Sequence, residues 1–364
     1  MDVLMLPYYG DANPYQRLLT TALEREGVTV RLDRAGGRRP LATAVSEHGV
    51  PNVIHLHWQH KFFAPRGVGP VRTFIRTALF FADVVRLRRA GVRLVWTVHN
   101  VVNHERRYER WERLACRCLG GLADGVIVHC ETARDVVASA YKMEPGKIYV
   151  IEHGHYGDWY PEPVPKRKAR RSLGLPRGKR IFLYFGQIRP YKGIEKLLEA
   201  FGGLEDDDVH LVLVGRARST VLKELIRRRQ REDSRISAEL EYVAEQRLTR
   251  YLSACDVAVL PYERSLTSGS GVLAATMGRA VVAPRVGCLG ELPDGCAILY
   301  DNDVPDGLRS ALGVAQTSPL GQMGKRARRH VMQNDWSKVG HKTRHVYEYT
   351  CIRRDRYDGH ESQR

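Results

Sequence analysis

Short apolar runs alternate along the chain with longer segments whose apolar positions recur at helical spacing. The series begins with DVLMLPY and the helical segment NPYQRLLTTALEREG, and continues with VTVRLD, VIHLHW, VRLVWTVHN and GVIVHC. A second series runs IFLYFG, VHLVLVG, VAVLPY, AVVAP and CAILYD. Runs rich in β-branched residues and separated by helical patterns are typical of a mostly parallel sheet covered on both faces. The pattern therefore predicts an α/β protein.

The alternation is interrupted over residues 153–180, where several prolines and many cations follow one another. A Pro-rich interruption between two series predicts a linker, and 364 residues are enough for two domains. We expect a first domain over residues 1–162, a second over 163–335 and a C-terminal segment over 336–364. Two Rossmann-like halves facing across a cleft would bind ligands outside the carboxyl ends of their strands.

The chain is strongly basic, with 58 Lys and Arg against 41 Asp and Glu and a net charge of +17. Such an excess favours anionic partners: nucleic acid, a membrane surface or a phosphorylated substrate. The basic clusters KRKARR, IRRRQR and KRARRH contain no interleaved aromatic residues, and no zinc-finger, RNA-recognition or helix-turn-helix signature is evident. We therefore expect no nucleic-acid partner.

Seven cysteines, an odd number, are scattered without the spacing of a zinc site. We expect reduced, mostly buried thiols and no metal. The start MDVLMLPYYGDANPYQ reaches polar residues too early for a signal peptide, and no apolar stretch is long enough to span a membrane. These features predict a cytoplasmic protein.

The stretch YFGQIRPYKG places Gly186, Arg189, Lys192 and Gly193 directly behind an apolar run. It is either a turn with solvated charges or a phosphate site, in which backbone N–H groups and cations face an anion. A second segment, LTSGSGVLAATMG, opens an apolar helix with small residues that would expose N–H groups to an anion. Together they predict a diphosphate site, to which the second segment contributes Ser268, Gly269, Ser270 and Gly271.

Four further candidates follow predicted strands. Gly10 permits a close approach of a ligand, and Asn13 either serves the acceptor side or only caps the next helix, with Pro14 at its first position. His99 is either functional or satisfied by neighbouring backbone, and Glu291 either binds sugar hydroxyls or caps the next segment. His55 and His57 share one face of a strand without a suitably spaced carboxylate, so packing is favoured over metal binding for this pair.

These motifs resemble the two-domain glycosyltransferases of the GT-B fold, in particular the retaining family 4, over nearly the whole chain. By that resemblance Arg189 and Lys192 would hold the donor diphosphate, and MGRAVVAPRVGCLGEL would end in the sugar-binding Glu291. TVHN resembles the segment whose histidine, here His99, lies near the reacting sugar. KIYVIEHGHY resembles the interdomain strand and hinge, and DWSKVGHKTRHVYEYT the helix that crosses back onto the first domain.

One departure from the family pattern concerns two glutamates eight positions apart that flank the donor loop. Ser265 and Leu273 occupy the matching positions here. Either the LTSGSG segment replaces the carboxylates with backbone donors and hydroxyls, as we expect, or catalysis has been lost.

The resemblance implies a glycosyltransferase, most simply a hexosyltransferase, that moves a sugar from a nucleotide-diphosphate sugar to a glycan or lipid-linked acceptor, with retention. No metal and no cofactor besides the donor substrate would be needed, and His99, Arg189 and Lys192 would be the catalytic residues. The alternatives are a non-catalytic nucleotide-sugar-binding partner of an active transferase, and a nucleic-acid-binding protein supported by charge alone.

Residues 60–93 combine aromatic residues with many arginines, and we expect a helix over about 70–90. The apolar residues of segment 60–93, among them Phe62, Phe63, Phe74 and Phe80, either belong to the core or face an anionic bilayer. We predict peripheral, salt-sensitive membrane association without a spanning segment.

Overall fold

The computed structural model describes residues 1–10, 13–63, 67–101 and 108–361, with residues 353–361 as backbone alone, and it divides into two compact units. Unit 1 comprises Met1–His153 with Asp335–Arg364, and unit 2 comprises Gly154–Asn334. The sequence-based boundary at residue 162 thus falls inside unit 2, and the segment predicted over 336–364 lies in unit 1.

Unit 1 contains, within the described residues, a six-stranded sheet in the order β2-β1-β3-β4-β5-β6 in which every pairing is parallel. Its strands are β1 (Asp2–Leu6), β2 (Thr29–Leu32), β3 (Val53–Leu56), β4 (Arg93–Thr97), β5 (Gly125–Val128) and β6 (Ile148–Val150). Its first helices are α1 (Tyr15–Arg25), α2 (Pro40–His48), α3 (His60–Phe63), α4 (Pro70–Arg89), α5 (Glu109–Leu122) and α6 (Glu131–Tyr141).

Unit 2 repeats the architecture in its described residues, with a parallel sheet in the order β12-β11-β10-β7-β8-β9. Its strands are β7 (Arg180–Phe185), β8 (Val209–Val214), β9 (Ile236–Glu239), β10 (Val257–Val259), β11 (Ala280–Pro284) and β12 (Ala297–Tyr300). Its helices are α7 (Lys166–Leu173), α8 (Ile194–Gly202), α9 (Thr220–Glu232), α10 (Glu245–Ala254), α11 (Gly269–Thr276), α12 (Gly287–Gly290), α13 (Gly307–Thr317) and α14 (Leu320–Val331).

The last helix, α15 (Trp336–Glu361), packs against α1 and completes the core of unit 1. Its residues Trp336 and Tyr347 are buried in one apolar cluster with Tyr15 and Leu19 of α1 and residues of the sheet. The two helices approach closely at Gly340, where an added Cβ would lie 2.9 Å from Ala22. Unit 1 is therefore built from both ends of the chain.

The predicted α/β architecture and parallel sheets are confirmed, and the central strands are buried on both faces, as their continuous apolar runs indicate. The pattern missed β9, and it gave β6 only through the family resemblance. Both strands lie at sheet edges and are only partly buried, which weakens the apolar signal. Within the described residues, none of the helices combines the length and apolar character needed to cross a membrane.

Candidate active site

The turn after β7 in unit 2 has a backbone that demands glycine at both ends. Gly186 has φ +114° and Gly193 has φ +70°, a region that other residues rarely adopt. A Cβ on Gly193 would lie 1.9 Å from the carbonyl oxygen of Pro261, just beyond β10. The turn is thus fitted tightly against the end of the neighbouring strand.

The start of α11 lies beside this turn, since a Cβ on Gly186 would lie 3.5 Å from Ser270 Oγ. The Ser268 hydroxyl caps the helix by accepting a hydrogen bond from Gly271 N at 3.0 Å. This cap uses one acceptor position of the Ser268 hydroxyl and leaves its O–H hydrogen to donate. The remaining first-turn N–H groups have no acceptor within the helix and can serve an anion.

The turn carries two cations, Arg189 and Lys192. Lys192 Nζ lies 3.6 Å from the ring centroid of the buried Tyr262, a cation–π contact that fixes the ammonium group. Arg189 is half-buried and precedes the short 3₁₀ turn Pro190–Lys192 in an extended conformation.

The turn and the α11 start follow β7 and β10, adjacent strands where the order of the sheet reverses. Ligands of open α/β sheets bind at such a switch point.

The positions that match the family's glutamates offer little to a ligand. Leu273 is buried, and the Ser265 hydroxyl donates to the carbonyl oxygen of Thr267 at 3.2 Å. Glu291 is exposed and forms the C-cap of α12, whose first residue packs against the backbone at Ser265 and Leu266. Its role toward the sugar stays a prediction.

A row of buried histidines marks the carboxyl edge of the unit 1 sheet. One histidine follows each of the four strands from β3 to β6, namely His57, His99, His129 and His153. The Tyr15 ring lies in the middle, with its centroid 5.0–5.7 Å from each of the four imidazoles. The sequence singled out only His99 as functional, although each of the other three also follows an apolar run.

His99 is held from two sides. Its ring stacks on Trp58 at a centroid distance of 4.4 Å, and its Nε2 lies 3.0 Å from Nδ1 of His57. Nε2 of His57 is buried without a partner among the described residues. An unpaired acceptor is tolerated better than an unpaired N–H, so the hydrogen of His57 belongs on Nδ1, from which it donates to His99. His99 then carries its own hydrogen on Nδ1.

Burial keeps these imidazoles neutral. It lowers the pKa of His55 to about 3 and that of His129 to about 4, and it holds the pKa values of His57 and His99 well below the ordinary value. His55 has a packing role, as expected, because it bonds to the Tyr347 hydroxyl and to Thr97 Oγ1, each at 2.7 Å. His99 therefore presents a neutral N–H donor at this edge.

Gly10 and Asn13 follow β1. Gly10 has φ +80° and open space around its Cα, which allows a close approach. Asn13 Oδ1 accepts from the Tyr15 amide at 3.2 Å, whereas the N-cap of α1 is Pro14. Pro14 already has helical backbone angles, φ −70° and ψ −11°, and its carbonyl oxygen accepts from Leu18 N, so Asn13 meets the helix N–H as the expected capping role requires.

A possible cation site lies elsewhere in unit 1. Within the described residues, one group of three side chains could share a metal ion, and it consists of Asp33, Glu47 and His48. His48 Nε2 already pairs with Asp33 Oδ2 at 3.1 Å, and the Ala35 amide donates to Asp33 Oδ1 at 2.5 Å. These internal contacts account for the cluster.

Two family models match the chain, one to each half. Residues 14–155 match "Glycosyltransferase Family 4", and residues 179–314 match "Glycosyl transferases group 1".

Among curated relatives, a GDP-mannose:glycolipid 4-beta-D-mannosyltransferase of Xanthomonas campestris pv. campestris is 31% identical over 79% of this chain and 77% of its own length. A D-inositol 3-phosphate glycosyltransferase of Gordonia bronchialis is 30% identical over 59% of this chain and 50% of its own length.

Solved structures share the fold at low identity. Sucrose-phosphate synthase from Thermosynechococcus elongatus superposes with a TM-score of 0.75 at 19% identity, over 96% of this chain and 98% of that one. Anabaena HepE in complex with UDP gives 0.71 at 18% identity, over 96% and 100%. The two parallel-sheet units thus have the GT-B fold, and the two family matches identify the chain as a glycosyltransferase. The chain belongs to glycosyltransferase family 4.

Proposed function

We propose that this glycosyltransferase moves a hexosyl group from a nucleoside diphosphate sugar to a lipid-linked acceptor. The observation that carries the donor assignment is the contact between the Gly186–Gly193 turn and the start of α11. The contact lies at the switch point of unit 2, and the same turn carries Arg189 and Lys192, so two cations and first-turn N–H groups would serve one diphosphate.

The difficult step is departure of the nucleoside diphosphate from the anomeric carbon, because negative charge develops on the leaving phosphate. Arg189, Lys192 and the N–H groups of Gly269 and Ser270 would stabilise that charge from fixed positions. Since these groups carry the required positive potential, we propose that transfer needs neither a metal nor a cofactor besides the donor. Gly271 N is already committed to the Ser268 cap, so Gly271 serves the site through its small size.

We place the acceptor on unit 1, with Gly10, Asn13 and His99. A neutral His99 that carries its hydrogen on Nδ1 would donate a hydrogen bond to a sugar oxygen and would not remove a proton. This role agrees with retention, which the family resemblance predicts. The Xanthomonas relative, however, is named for a beta-D-mannosyl product. The anomeric configuration of the product, compared with that of the donor by NMR, decides between retention and inversion.

GDP-mannose with a glycolipid acceptor is the pair to test first, because both are named for the relative that is 31% identical over 79% of this chain. Transfer would be followed by mass spectrometry with GDP-mannose and UDP-glucose as alternative donors. Arg189→Ala and Lys192→Ala should each lower turnover by about two powers of ten, as removal of a charge-stabilising group does. Arg228→Ala on α9 removes an exposed cation of the same unit and should leave turnover unchanged. Near-normal turnover of either turn variant with saturating donor would exclude this phosphate site.

A second candidate is a non-catalytic nucleotide-sugar-binding partner, and Ser265 and Leu273 in place of the family's glutamates favour it. It predicts a thermal shift with a nucleotide sugar but neither transfer nor donor hydrolysis. The transferase predicts binding together with turnover.

We also propose peripheral attachment to an anionic membrane on its cytoplasmic side, through a surface that differs from the predicted one. Phe62, Phe63 and Phe80 are fully buried, so those aromatic residues belong to the core. The exposed apolar residues lie on the first half of α4 and on α5, with Trp111 beside Phe74. This α4–α5 surface consists of Val71, Phe74, Ile75, Trp111 and Leu114, flanked by Arg72, Arg110 and Arg117.

Liposome flotation tests the α4–α5 surface. The double variant Phe74→Ser with Ile75→Ser should lose recovery with anionic vesicles at low salt, because it removes the inserted apolar area while the arginines remain. The matched control replaces two exposed apolar residues of unit 2, Val221→Ser with Tyr242→Ser. Equal recovery of both variants, or wild-type recovery independent of anionic lipid, would point to a soluble acceptor.

A further inference from the structure

Two exposed histidines stand one turn apart on α15, and neither is among the residues assigned to sugar transfer. His341 and His345 are 57% and 62% exposed, and their Nε2 atoms lie 2.9 Å apart. Residues four apart on a helix share one face, so the backbone of α15 holds this pair together.

The other ring nitrogen of each histidine faces a carboxylate. His341 Nδ1 lies 3.2 Å from Glu26 Oε2, and His345 Nδ1 lies 3.3 Å from Glu348 Oε2. An ionised carboxylate only accepts hydrogen bonds, so both Nδ1 atoms carry hydrogen and donate it. Both Nε2 atoms then face each other at hydrogen-bond distance, so either a proton shared between the two rings or a metal ion bound by both lies between them.

The ring geometry agrees with a shared cation. The ring centroids lie 4.4 Å apart, further than the two Nε2 atoms, so the rings converge toward one point. Two imidazole nitrogens at about 2.1 Å from one metal ion and roughly at right angles to each other would lie about 3 Å apart. The observed separation of 2.9 Å matches that arrangement.

Arg344 holds both carboxylates in place. Its Nε donates to Glu348 Oε1 at 2.8 Å, and its guanidinium lies 3.7 Å from Glu26 Oε2. Arg344, Glu26 and Glu348 together carry a net charge of −1 beside the imidazoles, in a chain that is otherwise strongly basic. Carboxylates that accept from the Nδ1–H of metal-binding histidines orient the rings and raise their basicity as ligands.

We propose that His341 and His345 form a bis-histidine site for a first-row transition-metal ion such as Cu²⁺ or Ni²⁺. Imidazole is a preferred ligand of both, and their tetragonal geometry places neighbouring ligands at right angles. Glu26 and Glu348 act as the outer partners of the two rings, and water fills the remaining coordination positions. The site is independent of the proposed sugar transfer.

Chelator-treated full-length protein titrated with Cu²⁺ and with Ni²⁺ tests the proposal. Calorimetry should show one ion bound per chain, and the Cu²⁺ electron paramagnetic resonance spectrum should show coupling to imidazole nitrogens. His341→Ala and His345→Ala should each abolish this binding. Glu348→Gln should weaken it about tenfold or more, as loss of such an outer partner does.

His48→Ala is the matched control, because it removes a histidine from the Asp33 cluster while leaving α15 intact. It should bind one ion as the wild type does. Circular dichroism should be unchanged for His345→Ala, whose side chain is exposed. The proposal is overturned if wild-type protein shows no saturable binding, if His341→Ala and His345→Ala bind normally, or if His48→Ala removes the binding.

Discussion

At the residue scale, the turn in unit 2 depends on glycine for two separable reasons, conformation and space. Gly193 and Gly174 have nearly the same backbone, with φ +70° and +66°. A Cβ on Gly174 would meet nothing within 4 Å, whereas one on Gly193 would lie 1.9 Å from Pro261 O. Comparing alanine variants of these two glycines therefore separates the cost of backbone strain from the cost of the steric clash.

Gly174→Ala should lower the free energy of unfolding by about 1 kcal/mol, the cost of a left-handed conformation for a residue with a side chain. Gly193→Ala should cost clearly more and should weaken donor binding, because the turn must move away from Pro261. Urea denaturation and calorimetry with the nucleoside diphosphate measure the two effects. Equal destabilisation of both variants would mean that the close contact with Pro261 is unimportant.

The bond from His57 should position His99. His57→Ala removes the donor that fixes the orientation and hydrogen placement of His99, so turnover should fall about tenfold or more, as for a lost positioning group, with the donor KM unchanged. His57→Asn, whose amide can still donate from a similar place, should recover part of the loss. A purely structural role for His57 would instead lower stability, and Asn would restore no turnover.

The sequence located His99 but could not reveal this bond. His57 and His99 are 42 positions apart, and they meet because β3 and β4 pair in parallel and end at the same edge. Strand order determines which chain segments become neighbours, and apolar periodicity carries no information on that order. The glycines of the turn were easier to recognise, because glycines directly behind an apolar run are visible in the sequence. Gly186 and Gly193 meet a local requirement, a positive φ, that does not depend on strand order.

At the element scale, glycine within a helix has opposite consequences in α13 and α15. Gly313 would meet nothing within 4 Å, whereas Gly340 lies against the backbone of Ala22 in α1. Gly313→Ala should raise the free energy of unfolding by about 0.5–1 kcal/mol through helix propensity.

Gly340→Ala should destabilise the protein despite the same gain in propensity, because the added methyl group separates α15 from α1. Thermal unfolding of the two variants should therefore shift in opposite directions. A higher melting temperature for both would show that the α1–α15 contact can relax around the methyl group.

The basic segments show how far a charge pattern predicts an element's role. KRKARR forms most of α7, and there Arg170 and Lys166 pair with Asp256 at 2.7 and 2.6 Å. Arg170 is almost fully buried and also donates to backbone carbonyl oxygens. This cluster, which lies within the segment predicted as a linker, is therefore partly a structural anchor, and the sequence does not show which cation is buried.

At the scale of the whole molecule, the buried histidines should make unit 1 sensitive to acid. Their folded pKa values, about 3 for His55 and about 4 for His129, lie below the unfolded value of about 6.5. The unfolded chain then binds more protons below pH 6.5. The contribution of these histidines to the free energy of unfolding is therefore fully present above pH 6.5 and is lost as the pH falls toward 4.

Urea denaturation followed by tryptophan fluorescence at pH 7, 6 and 5 measures this loss, since Trp58, Trp96, Trp111 and Trp336 lie in unit 1. Each such histidine should contribute about 1 kcal/mol per pH unit between pH 6 and 5. His129→Asn, which keeps a donor for the Ile151 carbonyl, should reduce the slope by that amount. Equal slopes for the wild type and His129→Asn would refute the assignment.

The discontinuity of unit 1 has a consequence for biosynthesis. Residues 1–153 leave the ribosome first, but His55 lacks the Tyr347 hydroxyl and Tyr15 lacks Trp336 until the last segment has been made. Unit 2 is continuous and can fold as soon as Asn334 has emerged, since domains generally fold as units during synthesis. A chain ending at Asn334 should therefore resist limited proteolysis over unit 2 while its first 153 residues are still cleaved. Unit 2 thus finishes folding before unit 1, although residues 1–153 are synthesised first.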